Sequence, residues 1–422
     1  MAETKKKLTM AELLKTAEKK YDLAVGTLDS IASDVKFIST GNMAVDYAIG
    51  GASGGIPLGR VVELYGPPSS GKTTLATQAA ANLQKIILSG GDESLGIMAT
   101  DRILYLDYEQ AFDAAYARAL GLDTSHDSFL FTQPDTLEAG MDFMLTAFKT
   151  GEVRLALVDS VAAMTPSAQA EADSVGKSLP AVQAKIMKVV GTNLNPILKE
   201  HNGTVIFINH EIEKMEMGGA RRPGMPVATS TPGGIALKFF SSVRVQFRQI
   251  RNIKGTIIDP LTKEPVETPV ATDVKVKVVK NKVAPPFREC SVRVRFGRGF
   301  DEFWTAIQIL VANKKLIYAT GRWYFHNVIE EVPADWMPRE AKGTKRPYIH
   351  GEGKVFAAAD ENPEWRGALI AVAKRVAKEN AASLADVAKF GVSLPEEDED
   401  GPTSDELDDL LPSTSDGNRI SI

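Results

Sequence analysis

Lys72 and Thr73 close the run Gly66-Pro-Pro-Ser-Ser-Gly-Lys-Thr, which fits G-x-x-x-x-G-K-[ST]. The chemistry this spacing allows is the holding of phosphate. Glycines let a backbone wrap an anion with its N–H groups turned inward. A helix N-terminus behind the loop adds partial positive charge. Lys72 supplies a full charge for the outer phosphates, and the Thr73 hydroxyl can hold Mg²⁺. Gly66, Ser69, Ser70, Gly71, Lys72, Thr73 and Thr74 are therefore the candidate residues for a nucleoside triphosphate.

The flanks supply the context such a loop needs. Val61-Val-Glu-Leu-Tyr65 reads as a strand before it, and Thr74-Leu-Ala-Thr-Gln-Ala-Ala-Ala81 as a helix after it. Two further apolar runs end in acids. Leu104-Tyr-Leu-Asp-Tyr-Glu109 places a carboxylate where a water can be polarised for attack on a γ-phosphate. Arg154-Leu-Ala-Leu-Val-Asp159 has the form of a Walker B strand, with Asp159 a candidate Mg²⁺ holder. A fourth run, Thr204-Val-Ile-Phe-Ile-Asn-His210, leads straight into a long polar segment. His210 there either reaches the γ-phosphate or caps a strand. Lys280 and Lys282, at a period of two, share one face of a strand. They face phosphates of DNA, those of a nucleotide on a neighbouring subunit, or solvent.

The elements that must position these groups follow from the periodicity. Strands are expected at 61–65, 103–107, 154–159, 204–209, 243–247 and 274–279, alternating with helical stretches. This is the rhythm of an α/β fold with a mostly parallel central sheet and helices on both faces. Residues 8–24 read as an amphipathic helix with Met10, Leu13, Leu14, Ala17 and Tyr21 on one face. The expected organisation is an N-terminal helix and linker over 1–36 and an α/β core that carries the phosphate loop over 37–297. A small α+β C-terminal domain over 298–395 and an acidic tail over 396–422 complete it. Residues 170–181 and 211–234 break the rhythm with Gly, Pro and polar residues, and loops this long are functional or unstructured.

Composition narrows the class. The chain has 422 residues, 44% apolar and 24% charged, as ordinary globular proteins do. No apolar run reaches the ~18–20 residues of a membrane span, and one cysteine, Cys290, excludes an internal disulfide and suits a cytoplasmic protein. Residues 396–416 carry ten Asp/Glu and no Lys/Arg. With Arg419 the tail is −9, so the net charge of −5 leaves +4 on residues 1–395. A basic body with an acidic tail suits a polyanion binder that regulates itself, or a chain kept soluble by its tail.

Taken together the residues resemble a RecA-type recombinase over most of residues 8–365. The resemblance rests on Ile38-Ser-Thr-Gly41, the phosphate loop, Leu106-Asp-Tyr-Glu109-Gln-Ala, Asp113-Ala-Ala-Tyr116, Gln133-Pro-Asp-Thr136 and Val158-Asp-Ser-Val-Ala-Ala-Met-Thr-Pro166. Phe207-Ile-Asn209, Gly233-Gly-Ile-Ala-Leu-Lys-Phe239 and Val278-Val-Lys-Asn-Lys282 continue it. It implies an ATP- and Mg²⁺-dependent enzyme of recombination and DNA repair, a DNA-stimulated ATPase. Such an enzyme assembles as a helical homo-oligomer on single-stranded DNA and exchanges strands with double-stranded DNA.

By this resemblance Glu109 is the water-activating carboxylate, assisted by Lys72, and Asp113 and Tyr116 hold adenine. Lys280 and Lys282 reach the neighbour's ATP. Residues 170–181 and 211–234 are the DNA-binding loops, which nominates Lys177, Arg221, Arg222, Gly233 and Gly234 for DNA contact; the first loop lacks the family's usual Met-Gly and Arg, and Lys185 and Lys188 are the nearest basic residues and join the candidates. The family's usual glutamine is replaced by His210, whose tautomer and charge vary near neutral pH. Longer stretches at 85–102 and 327–347 also depart from the family, the latter with Arg339, Lys342, Lys345 and Arg346. Such divergence suits a bacteriophage-encoded member. A DNA-coating scaffold and a ring-shaped motor are the competing readings.

Overall fold

The structure is a computed structural model that describes residues 9–21, 35–51, 54–170, 180–213, 229–328, 332, 337–338 and 347–381. Lys177, Arg221 and Arg222, the acidic tail and the four basic residues of 339–346 lie outside the described residues. The chain divides into two units, residues 1–36 and 37–422.

The first unit contributes helix α1 (Met10–Tyr21). Its start is a capping box. The Glu12 amide donates to Thr9 Oγ1 at 3.3 Å, and the Thr9 amide donates back to Glu12 Oε2 at 2.9 Å. That backbone N–H, with the Thr9 hydroxyl, holds the Glu12 carboxyl below its usual range. Met10 and Leu13 are exposed.

In the second unit nine strands form one sheet: β1 (Val61–Gly66), β2 (Arg102–Asp107), β3 (Phe129–Thr132), β4 (Val153–Asp159), β5 (Thr204–His210), β6 (Val243–Ile258), β7 (Pro265–Asn281), β8 (Glu289–Arg295) and β9 (Gly299–Phe300). Their order is β9-β8-β7-β6-β1-β5-β4-β2-β3. From β6 to β3 every pairing is parallel, and β7, β8 and β9 are added antiparallel. Strands β1 and β4 are buried along their whole length, as strands covered on both faces must be.

The 274–279 run differs from its expected place in the parallel rhythm. It belongs to β7, which pairs antiparallel with β6 as a hairpin. The cause is the tight turn between them, where Asp259 Oδ1 accepts from the Leu261 and Thr262 amides at 2.7 and 2.9 Å and Lys263 adopts φ 63°. A turn that short cannot make the crossover that parallel strands need.

Helices α2 (Met43–Gly50), α3 (Lys72–Leu88), α4 (Ala114–Ala119), α5 (Leu137–Lys149), α6 (Pro180–His201) and α7 (Gly234–Phe240) accompany the sheet. On one face α3 buries Leu75, Ala79, Leu83 and Ile87 with Leu64, Ile103 and Tyr105. On the other, Met141, Met144 and Phe148 of α5 and Met187, Leu194 and Leu198 of α6 pack on Leu104, Leu106, Val158 and Phe207. Burying one such aliphatic or aromatic side chain is worth about 1.5–3 kcal/mol, so these two layers hold the strand ends in place.

The C-terminal stretch has α8 (Glu302–Ala312), α9 (Glu352–Glu361), α10 (Pro363–Ala381) and a three-stranded antiparallel sheet of β10 (Ile317–Ala319), β11 (Arg322–Tyr324) and β12 (Tyr348–His350). It packs a core of its own around Phe303, Trp323, Phe325 and Trp365, which Met43 of α2 joins. Arg293 of β8 ties this stretch to the sheet, with Nε 2.8 Å from Asp273 and Nη1 2.6 Å from Glu352. The long 85–102 stretch forms a small hairpin, Gly91–Asp92 against Ile97–Met98. Beside it the buried Asp101 takes Arg154 in a bidentate pair at 2.8 and 3.0 Å. Among the described residues no helix is long and apolar enough to cross a membrane.

Candidate nucleotide site

The parallel registers bring the carboxyl ends of four strands level. Gly66 lies opposite His210, Tyr65 opposite Asn209, and Asp107 opposite Asp159. Ligands of open α/β sheets sit at this end. The loop leaving β1 begins at Gly66 with φ 155°, where an added Cβ would stand 2.3 Å from the Phe247 carbonyl oxygen. Ser69 at φ 57° and Gly71 at φ 88° complete the turn. The buried Ser70 hydroxyl donates to the Pro67 carbonyl at 2.8 Å. Gly71 caps α3 without a side chain, so the first-turn N–H groups around Lys72, Thr73 and Thr74 have no intrahelical acceptor.

Lys72 is 4% exposed, and its Nζ donates to the Pro67 carbonyl at 2.7 Å. Burial lowers its pKa to about 8, against the opposing pull of Asp159 and Glu109. Thr73 Oγ1 donates to Asp159 Oδ2 at 2.9 Å, and Tyr105 OH donates to the same oxygen at 2.9 Å. Burial raises the Asp159 pKa, which these two hydrogen bonds oppose. The pair of one hydroxyl and one carboxylate fits Mg²⁺, which takes one or two protein ligands and draws the rest from water and phosphate. Among the described residues no cluster of three or more His, Cys, Asp or Glu side chains is placed to hold a metal.

Glu109 follows β2 and reaches back across the strand ends. Ser160 Oγ donates to its Oε1, and His210 Nε2 lies 2.9 Å from the same atom. Burial pushes the Glu109 carboxyl up, but the hydrogen bonds from Ser160 and His210, with the charges of His210 and Lys72, outweigh it. The net shift is downward. A contact to the carboxylate requires the His210 tautomer with hydrogen on Nε2.

Thr73, Tyr105, Asp107, Glu109, Asp113 and Tyr116 line a pocket of about 160 Å³. Asp113 caps α4 by accepting the Tyr116 amide at 2.9 Å, and Tyr116 OH lies 3.1 Å from Thr74 Oγ1. Three further residues act here. Ser160 and Tyr105 hold the two carboxylates, and Gln133 donates to Asp107 at 3.0 Å. Ser160 follows Asp159 in sequence, which was the available signal. Nothing local in the sequence marks Tyr105 or Gln133 as partners of these acids.

The remaining candidates divide. Lys280 Nζ donates to the carbonyls of Lys238 and Phe239 at 2.5 and 2.9 Å, and Lys282 Nζ to that of Phe239 at 3.3 Å. Both lysines thus engage the end of α7 rather than the phosphate loop. Burial first, then Lys282 and Arg244, lower the Lys280 pKa to about 8. Lys185 and Lys188 are exposed on α6. Gly233 and Gly234, at φ 81° and 69°, start α7, and a Cβ on Gly234 would meet the Ala184 Cβ at 2.8 Å. Gly234 therefore sits against the helix that carries the lysines, while a Cβ on Gly233 would meet Val161 at 3.0 Å.

A mostly parallel nine-stranded sheet with this loop at β1 and acids at the ends of β2 and β4 defines a RecA-like α/β P-loop core. The family description "RecA N-terminal domain" matches residues 7–301. Protein RecA of Streptococcus sanguinis strain SK36 is 36% identical over 336 residues, 80% of this chain and 78% of that protein. Protein RecA of Streptococcus agalactiae serotype III strain NEM316 is 40% identical over 293 residues, 69% of each. The crystal structure of the RadB recombinase is 21% identical, with a TM-score of 0.41, covering 63% of this chain and 98% of that one. The chain belongs to the RecA family. That membership carries a general role in recombination and repair with the use of ATP.

Proposed function

We propose that this chain is a DNA-stimulated ATPase that assembles as a helical filament on single-stranded DNA and catalyses homologous pairing and strand exchange with duplex DNA. The observation that carries this reading is the convergence of Lys72, the Thr73–Asp159 pair and the Ser160–Glu109–His210 cluster on the strand ends around one phosphate loop.

The loop amides and Lys72 bind the phosphates of ATP. Thr73 and Asp159 would hold Mg²⁺, which when bound neutralises charge on the transferring phosphoryl group. Glu109 is ionised at neutral pH and accepts the proton of an attacking water. His210 and Ser160 fix its orientation, since two donors meet on one carboxylate oxygen. Asp113 and Tyr116 frame the base end of the pocket, and Lys280 and Lys282 serve the ATP of an adjoining subunit. Lys177, Lys185, Lys188, Arg221 and Arg222 meet DNA phosphates, with Gly233 and Gly234 admitting the strand. Contacts of this kind are salt-sensitive and nearly independent of sequence. Filament growth uses α1, and the tail after 396 tempers DNA access by its negative charge. A cytoplasmic location accords with the single buried thiol, Cys290.

The test is ATP hydrolysis with and without single-stranded DNA at two salt concentrations, beside Lys72→Ala. Stimulation that weakens with salt and vanishes in the variant is expected. Turnover indifferent to DNA, or unchanged in Lys72→Ala, refutes the proposal.

A further inference from the structure

We propose that Gln133 is a positioning residue for nucleotide selection: through Asp107 it fixes the turn that carries Asp113 to the base end of the pocket. This deepens the ATPase reading and rests on its assignment of the nucleotide site.

Three carboxylates meet near the ends of β2 and β4, and their partners separate their roles. Asp159 takes the hydroxyls of Thr73 and Tyr105, and Glu109 takes the Ser160 hydroxyl and the His210 imidazole. Asp107 is 2% exposed and serves a different set. Its Oδ1 accepts the Ala111 amide at 3.4 Å. Its Oδ2 accepts the Phe112 amide at 3.2 Å and Gln133 Nε2 at 3.0 Å. Both oxygens are thereby committed to the turn after β2 and to the residue that follows β3. The orientation of the Gln133 amide is determined, because a carboxylate requires a donor.

The turn needs this hold. Gln110, at φ 55°, takes a left-handed backbone angle that a residue with a side chain keeps only where its surroundings impose it. Two backbone amides on one buried carboxylate impose it. The Phe112 ring adds a second hold, packed on Tyr105 at 4.7 Å and on Phe131 at 5.1 Å between centroids. Asp113 comes next in the chain. It spends Oδ1 on the Tyr116 amide, which leaves Oδ2 to accept from a ligand, and it lines the same pocket as Ala111 and Phe112.

An acceptor in that place pairs with the exocyclic amino group of adenine and opposes the carbonyl oxygen of a 6-oxopurine. Such discrimination holds only while the carboxylate stands within about 0.5 Å of its working position. Gln133 is exposed and acts on Asp107 from the end of β3, so its replacement leaves the core packing in place. Without its donor, Asp107 Oδ2 keeps only the Phe112 amide, and the turn loses a constraint.

The experiment measures equilibrium binding of ATP and of inosine triphosphate, each with Mg²⁺, to the wild type, Gln133→Leu and Gln133→Glu. Thermal unfolding and DNA-stimulated hydrolysis are followed alongside. The wild type should prefer ATP by about tenfold or more. Gln133→Leu should weaken ATP binding about three- to tenfold and inosine triphosphate binding less than about twofold, so that the preference narrows. Its KM for ATP should rise in step while kcat stays within about twofold. Gln133→Glu sets a second carboxylate against Asp107 and should lose more of the preference than the leucine variant.

A preference unchanged in folded Gln133→Leu overturns the inference. So does an equal weakening of both nucleotides with a lower melting temperature, which would mean that the residue only supports the fold. A wild type that binds the two nucleotides alike overturns it as well. Wild-type turnover indifferent to DNA defeats the functional reading instead, and the binding ratios then judge the positioning on their own.

Discussion

The pH dependence of ATP binding follows from the burial of Lys72. Its Nζ is nearly solvent-free, and its hydrogen-bond acceptor is the neutral Pro67 carbonyl. Burial disfavours the ammonium more than Asp159 and Glu109 favour it, and the pKa falls from 10.5 to about 8. The protonated amine is the form that attracts phosphate. With a pKa of about 8, roughly nine-tenths of the chains carry that charge at pH 7 and about one-tenth at pH 9. The Kd for ATP should therefore rise about tenfold between these two pH values. Glu109, held below the usual carboxylate range, adds no change of charge in this interval. Bound phosphate favours the ammonium, so kcat should inflect at higher pH than kcat/KM. The assay is equilibrium binding of ATP with Mg²⁺ from pH 6 to 10 at constant ionic strength. Lys280 is also lowered to about 8, so two variants assign the effect. Lys72→Ala should bind weakly at every pH without the inflection, and Lys280→Met should retain it. A wild-type Kd that is flat to pH 9.5, or an inflection that survives in Lys72→Ala, refutes the assignment.

Three other outcomes are expected. Glu109→Gln should bind ATP normally and hydrolyse it about 10²–10⁴-fold more slowly; a turnover above a third of wild type would exclude it as the base. Asp101→Ala strands the buried Arg154 guanidinium and should cost about 3–5 kcal/mol in urea unfolding; an unchanged midpoint would mean that the pair is solvated. Gly66→Ala puts a methyl 2.3 Å from the Phe247 carbonyl and should abolish nucleotide binding by shifting the loop away from β6; normal affinity by calorimetry would show that the loop yields.

Much of the fold was legible because its signals are local. The inner parallel strands are buried on both faces, so β1, β4 and β5 read as nearly continuous apolar runs wherever they lie in the sheet. The amphipathic run read at 8–24 is equally short-range, and it forms α1 over Met10–Tyr21. The β6–β7 hairpin was missed because an apolar run does not report the direction of its neighbour. Its cue was the turn chemistry of Asp259-Pro-Leu-Thr, not the strand pattern.

By itself the sequence determined the phosphate loop, since eight consecutive residues carry its glycines, lysine and threonine. It also determined which runs end in acids and that they belong to one α/β core. Tertiary structure alone decided who meets whom. Thr73 and Asp159 are 86 residues apart, Glu109 and His210 101, and Glu63 and Asn209 146. Those meetings exist because the sheet order sets β5 between β1 and β4 and aligns their ends. Strand order is chosen by the packing of whole layers, a long-range balance of burial that no window of sequence contains. For the same reason the sequence marks Glu63 only as a polar residue in an apolar strand. The fold turns it into the hydrogen-bond acceptor of Asn209 and the counter-charge of Arg244.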